Sequence, residues 1–176
     1  MITDSLVNFI PLSTPLAITT GDIPSTNVID LLGTGAGTAP AGIIGNRTVF
    51  GMDVGIGGVR PQLEVLVTTG FTTSDAATLN IEFQAAIDNG SYQPGSWVTL
   101  VETGAIAVAN LAAIGTKAAR FDFPPAFPES LQPRFLRLLF SVGSGLTFTA
   151  GAVLAPVTMV RDDTANRYQP ANYSVA

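Results

Sequence analysis

Leu79-Asn80-Ile81-Glu82-Phe83-Gln84-Ala85-Ala86-Ile87-Asp88 is the stretch whose reading decides the fold class. Leu79, Ile81, Phe83, Ala85 and Ile87 alternate with Asn80, Glu82, Gln84, Ala86 and Asp88. Successive side chains of an extended chain point to opposite faces, so this period of two predicts an antiparallel strand with one buried face and one wet face. The same alternation recurs on both sides of it. Leu63, Val65 and Val67 share a face, as do Trp97, Thr99 and Val101, then Phe121 and Phe123. Further on, Leu136, Leu138, Phe140 and Val142 form one run, and Leu146, Phe148, Ala150 and Leu154 another. Weaker strands are expected near Leu16–Thr20 and Asn27–Leu31.

The punctuation between these runs is Gly, Pro, Asn and Ser, as in Asp88-Asn89-Gly90, Gln93-Pro94-Gly95 and Gly143-Ser144-Gly145. Ala105–Ile114 reads equally as a turn or two of helix or as an extended edge segment. The expectation is an all-β protein: an eight-stranded antiparallel jelly-roll sandwich with a long Gly-rich loop and extended termini. The whole chain, 1–176, forms one domain, with an N-terminal arm over 1–15, the sandwich over 16–160 and a C-terminal arm over 161–176.

Composition narrows the function. Hydrophobic residues make up 47% of the 176 and charged residues 12%, about half the charge fraction of an ordinary domain. A surface so poor in charge is weakly defended against association. The net charge is -5, with one lysine, Lys117, and seven scattered arginines. No basic stripe exists to displace counterions from phosphates, so no nucleic-acid partner is expected. There is no cysteine and no histidine, which removes thiolate chemistry, disulfides, the commonest general base and the commonest zinc ligand. Despite a mean hydropathy of +0.41, no apolar run approaches the ~18 residues a membrane span needs. No basic segment precedes an apolar one at the start, so no signal peptide is expected.

The remaining chemical motifs read as structural. Gly33-Thr34-Gly35-Ala36-Gly37 lacks the third glycine of a dinucleotide loop and the Gly-Lys-Ser/Thr ending of a P-loop. It belongs to Leu32–Pro61, a glycine-dense stretch of the kind that is either mobile or ordered by a partner. Asp162-Asp163 with Asn166 offers oxygens to a hard cation but no EF-hand pattern; Arg161 and Arg167 beside them favour a salt-bridged or partner-facing tail. Asn46-Arg47-Thr48 and Asn172-Tyr173-Ser174 match the glycosylation sequon without a secretory context. No catalytic residue, metal ligand or cofactor site is assigned, and the chain is expected not to be an enzyme.

Partner contacts are expected at two places. The second face of Phe135-Leu136-Arg137-Leu138-Leu139-Phe140 carries Phe135, Arg137 and Leu139, too apolar for plain solvation. A covering loop or a second subunit would bury it, and a homo-oligomer, by default a dimer, is expected. In the C-terminal arm, Arg161, Asp162, Asp163 and Arg167 supply charge, and Tyr168 and Tyr173 supply aromatic surface of the kind interfaces favour.

A family resemblance joins these readings. Arg134-Phe135-Leu136-Arg137-Leu138, then Ser141-Val142-Gly143 and Thr149-Ala150-Gly151-Ala152-Val153, resemble the capsid cement (head decoration) proteins of tailed bacteriophages. So does the upstream order Ser25-Thr26-Asn27-Val28-Ile29-Asp30, Gly51-Met52-Asp53-Val54-Gly55 and Ala77-Thr78-Leu79-Asn80-Ile81. The likeness runs from the first strand to Leu154. The Gly-rich region and the loop Phe123–Pro133 are longer than the family pattern. The resemblance implies a jelly roll bound to the outside of an icosahedral head, clamping junctions between major capsid protein subunits, with no catalytic residues. The chain would be made in the host cytoplasm and end on the outer surface of the virion. The alternative is a carbohydrate-binding jelly roll, for which an exposed Trp97 beside Tyr92 would speak. A carboxylate-dependent enzyme would need two converging acids, which the spacing does not offer.

Overall fold

The structure is a computed structural model, and it describes residues 2–3, 8–31, 61–91, 93–122 and 133–159. The alternating runs fold as strands. They are β1 (Ile2–Thr3), β2 (Leu16–Ala17), β3 (Asp22–Pro24), β4 (Ile29–Asp30), β5 (Pro61–Thr73), β6 (Thr78–Asp88), β7 (Pro94–Glu102), β8 (Ile106–Ala107), β9 (Lys117–Asp122), β10 (Phe135–Val142), β11 (Phe148–Leu154) and β12 (Val157–Met159). Ala105–Ile114 contains both expected forms, β8 and then a single 3-10 turn at Val108–Asn110.

All pairings are antiparallel, and they build two six-stranded sheets. In the first sheet β9 and β11 flank β5; β12 continues the line of β11 along β5; β2 and β1 lie outside β11 and β12. In the second, β10 is flanked by β6 on one side and by β3 and β4 on the other; β7 and β8 lie outside β6.

Among the described residues the expected count of eight strands is therefore corrected to twelve, because several ladders are interrupted along their length. Pro156, which has no N–H to donate, separates β11 from β12. Between β7 and β8, the Thr103 N–H still donates to the Ile81 carbonyl, but the Thr103 hydroxyl replaces the backbone carbonyl as acceptor for the Ile81 N–H. Ser25 does the like between β3 and β4. Its N–H donates to the Leu138 carbonyl while its hydroxyl accepts from the Leu138 N–H.

The inward faces of the two sheets make one core. Leu63, Val65, Val67, Phe71 and Val153 from the first sheet meet Leu79, Ile81, Phe83, Leu136, Leu138 and Phe140 from the second. Phe83 meets Phe9 edge-on, with ring centres 5.6 Å apart, and Phe121 at 6.1 Å. One ring of the second sheet is thus held by residues from two places in the chain, in the offset geometries aromatic rings prefer. Phe71 and Phe148 make a second edge-on pair at 4.9 Å.

Two glycines are required by close approach. A Cβ on Gly70 would lie 2.2 Å from the Ala112 carbonyl oxygen, where the segment after the 3-10 turn crosses β5. A Cβ on Gly151 would lie 2.4 Å from the Phe71 ring.

The stretch 1–15, expected as an arm, joins the sandwich where it is described. Ile2 and Thr3 pair with Met159 and Thr158, and Ile10 bridges Ala155. Asn8, Phe9 and Ile10 are buried. Asn8 is a cross-tie: its Oδ1 accepts from the Val157 N–H of the first sheet, and its carbonyl accepts from the Asn27 side chain beside β4 of the second. The arm expected over 161–176 and the Gly-rich residues 32–60 lie outside the described residues.

Candidate interaction surface on the second sheet

The outer face of the second sheet collects Asn80, Glu82, Gln84, Ala86 and Asp88 from β6, and Phe135, Arg137, Leu139 and Ser141 from β10. Register sets Arg137 opposite Gln84 and Phe135 opposite Ala86. On the far side of β6, Trp97 stands opposite Ala86, Thr99 opposite Gln84 and Glu102 opposite Glu82.

These side chains form a continuous network. Arg137 Nε donates to Gln84 Oε1 at 2.8 Å. Gln84 Nε2 donates to Glu82 Oε2 at 2.9 Å, and the Thr99 hydroxyl donates to the same oxygen at 2.7 Å. Asn80 Nδ2 reaches Glu102 Oε2 at 2.7 Å. The Arg137 guanidinium lies over the Trp97 ring, 4.1 Å from its centre, a cation–π contact. Burial pulls the Arg137 pKa down from its ordinary value, and the charges of Glu82 and Asp22 push it back up; the group stays protonated at any working pH.

A second cluster closes the end of this face. Arg134 donates through Nε and Nη2 to the two carboxylate oxygens of Asp30 at 2.9 and 2.8 Å, and through Nη1 to Asp88. The fork matches a carboxylate bidentately, the strong form of such a pair. It raises the Arg134 pKa, the Asp30 hydrogen bonds contributing most. Arg134 also covers the Phe135 ring at 5.0 Å.

The expected contact residues of β10 are thus brought to one face, but in different states. Phe135 is 5% exposed, leaving no free surface to offer a partner. Arg137 and Leu139 are half-buried. Arg161, Asp162, Asp163, Arg167, Tyr168 and Tyr173 lie outside the described residues, as does Tyr92. Trp97, read from the sequence as in phase with the core, stands on the outer face instead. The reason is a register shift between Phe83 and Gln84, whose partners on β7 are Val101 and Thr99, so Leu100 is an extra residue. A bulge reverses the in–out parity beyond it. Reasoning from spacing also missed that register sets Glu82 opposite Glu102; only the β6–β7 pairing brings them together.

The face is acidic, with Asp22, Asp30, Glu82, Asp88 and Glu102 against Arg134 and Arg137. Such a surface repels phosphate. Among the described residues no group of three or more His, Cys, Asp or Glu is placed to hold a metal ion, and no helix is long and apolar enough to cross a membrane.

Fold and surface together define a two-sheet antiparallel β protein whose outer face is tied by side-chain hydrogen bonds. The family model for Bbp16 matches residues 12–157. The chain therefore belongs to the Bbp16 family, a phage-associated family. A search of curated proteins finds no match.

Proposed function

We propose that this chain is a capsid cement protein: a structural, non-enzymatic jelly roll on the outer surface of a phage head. It would bind the major capsid protein across subunit junctions and associate with itself. The observation that carries the reading is membership of a phage-associated family over residues 12–157.

Three features support it. The first is strand order. Counting β1/β2, β3/β4, β5, β6, β7/β8, β9, β10 and β11/β12 as successive rows, the first sheet runs 1-8-3-6 and the second 2-7-4-5. Rows 1 and 8, 2 and 7, 3 and 6, and 4 and 5 are paired neighbours, the order produced by rolling up one long antiparallel hairpin. The second is mechanical. Asn8, Ser25 and Arg134 tie rows together at points where the ladders are interrupted or end, which suits a body that carries load across a seam. The third is the low charge fraction of the chain, which favours a bound state. Extended segments touching several subunits would add avidity beyond any single contact.

Co-sedimentation with mature heads stripped of this protein tests the reading. Saturable binding at a fixed ratio to the major capsid protein is expected; absence of binding overturns it. A second reading, glycan binding, has one observation in its favour: Trp97 stands on the outer face among amides and carboxylates. Arg137 already lies over its ring, which weighs against a stacked sugar. A specific hit on a glycan array, lost in Trp97→Ala, would favour that second reading.

A further inference from the structure

Among the asparagines of the chain, Asn89 alone precedes a glycine. It stands in the turn that joins β6 to β7, where its N–H donates to the Gln93 carbonyl at 3.0 Å. Asn89, Gly90 and Ser91 are exposed. Two further hydrogen bonds shape the turn. Gly90 N–H donates to Asp88 Oδ1 at 2.8 Å, and Ser91 N–H donates to Asn89 Oδ1 at 2.8 Å. The other Asp88 oxygen, Oδ2, accepts from Arg134 Nη1, which fixes the orientation of the carboxylate. Gly90 has a φ of +88°, and it carries no side chain to shield its nitrogen.

These are the parts of an intramolecular acyl transfer. The Gly90 nitrogen and Asn89 Cγ are linked through Asn89 C, Cα and Cβ, so a bond between them closes a five-membered ring. A nucleophile tethered in this way needs no encounter with its target. An amide nitrogen is a poor nucleophile until it gives up its proton, and Asp88 Oδ1 already accepts the Gly90 N–H, in the position of a general base. Asn89 Oδ1 gains negative charge as Cγ becomes tetrahedral, and the Ser91 N–H is aimed at that oxygen, in the position of an oxyanion-hole donor.

We infer that this turn is a self-modification site, at which Asn89 is converted to aspartate or isoaspartate in the folded protein. The Gly90 nitrogen attacks Asn89 Cγ as its proton passes to Asp88. The tetrahedral centre then collapses: the Cγ–Nδ2 bond breaks, Asp88 returns the proton to the departing nitrogen, and ammonia leaves. The succinimide that remains takes up one water, which the exposure of the turn admits. Water at Cγ gives aspartate; water at the backbone carbonyl carbon of Asn89 gives isoaspartate, with the chain rerouted through Cβ. Nothing besides water is consumed. Either product adds one negative charge beside Asp88, at the end of the outer face that Arg134 closes. This goes beyond the capsid reading and does not depend on it.

Peptide mass mapping of the full chain, held at mildly alkaline pH, tests the inference. The peptide containing Asn89 should gain the mass difference between NH2 and OH and become a substrate for an isoaspartyl methyltransferase. Asn110, also exposed but followed by Leu111, should stay intact. The decisive comparison is with the same chain unfolded in urea, where conversion at Asn89 should be slower than in the folded protein. Asp88→Asn keeps an acceptor oxygen and removes the base. With circular dichroism unchanged, it should slow conversion by about tenfold, below the usual range for general-base catalysis because Arg134 draws on the carboxylate. A folded rate at or below the urea rate would show that the turn protects Asn89, and overturns the inference. An Asp88→Asn rate equal to or above that of the wild type overturns it as well, because a merely structural Asp88 would shield the turn and not drive its chemistry.

Discussion

Gly151 lies against Phe71, whose ring fills the space a Cβ would take. Gly151→Ala must displace a fully buried ring in a close-packed core, and overpacking of that kind costs about 1–3 kcal/mol. Urea denaturation should show a lower midpoint at an unchanged slope. Asn8 makes the opposite point, that a polar side chain can be indispensable inside. Asn8→Ala leaves the Val157 N–H buried without an acceptor, a loss of about 1–3 kcal/mol, read by the same denaturation. Asp75 fixes the turn between β5 and β6. Its carboxylate accepts from the Thr73 hydroxyl at 2.6 Å and from the Thr147 N–H at 3.0 Å. These bonds, Thr73 foremost, hold its pKa below the ordinary aspartate value, with burial opposing them. A depressed folded-state pKa means stability that is present above the unfolded value of about 3.9 and lost as pH falls through the folded value. Thermal melts of the wild type and Asp75→Asn should differ at pH 7 and converge toward pH 3. A gap independent of pH would show that the carboxylate charge contributes nothing.

Among the elements, β6 and β10 were the most legible, because each carries one unbroken apolar face and the two pair with each other over eight residues. β7 was legible as a strand but not in its facing. The extra residue at Leu100 is invisible to a period-two reading, since a bulge is a property of the pair and not of one strand. β1, β3, β8 and β12 are two or three residues long, too short to carry a period. They exist because longer neighbours offer them a ladder. The Trp97–Arg137 stack follows from the same bulge and can be read optically, as Trp97 is the single tryptophan. Arg137→Ala uncovers the indole, and its fluorescence emission should shift to the red. An unchanged spectrum would place the guanidinium elsewhere in solution.

At the scale of the whole molecule, the sandwich is closed by a core that Phe83 centres, touching Phe9 and Phe121 at once. Phe83→Ala should cost about 3–5 kcal/mol, enough to remove a large part of a typical domain's stability. Deleting 161–176 should do something different. The described sandwich ends at Met159, so the melting temperature should hold while occupancy on heads falls. Unchanged occupancy would discard the tail as an assembly arm.

The sequence by itself determined the class: an alternation with period two, interrupted by Gly and Pro, can bury its apolar half only by forming sheets that face each other. It also determined what chemistry is missing, because absent side chains need no structure to exclude them. Tertiary structure alone decided which face Trp97 occupies, that Asn8–Ile10 belong to the core, and that Phe135 on the outer face of β10 is buried. Each of these depends on which strand lies beside which, and pairing is set by contacts between residues far apart in the chain, where local periodicity carries no information.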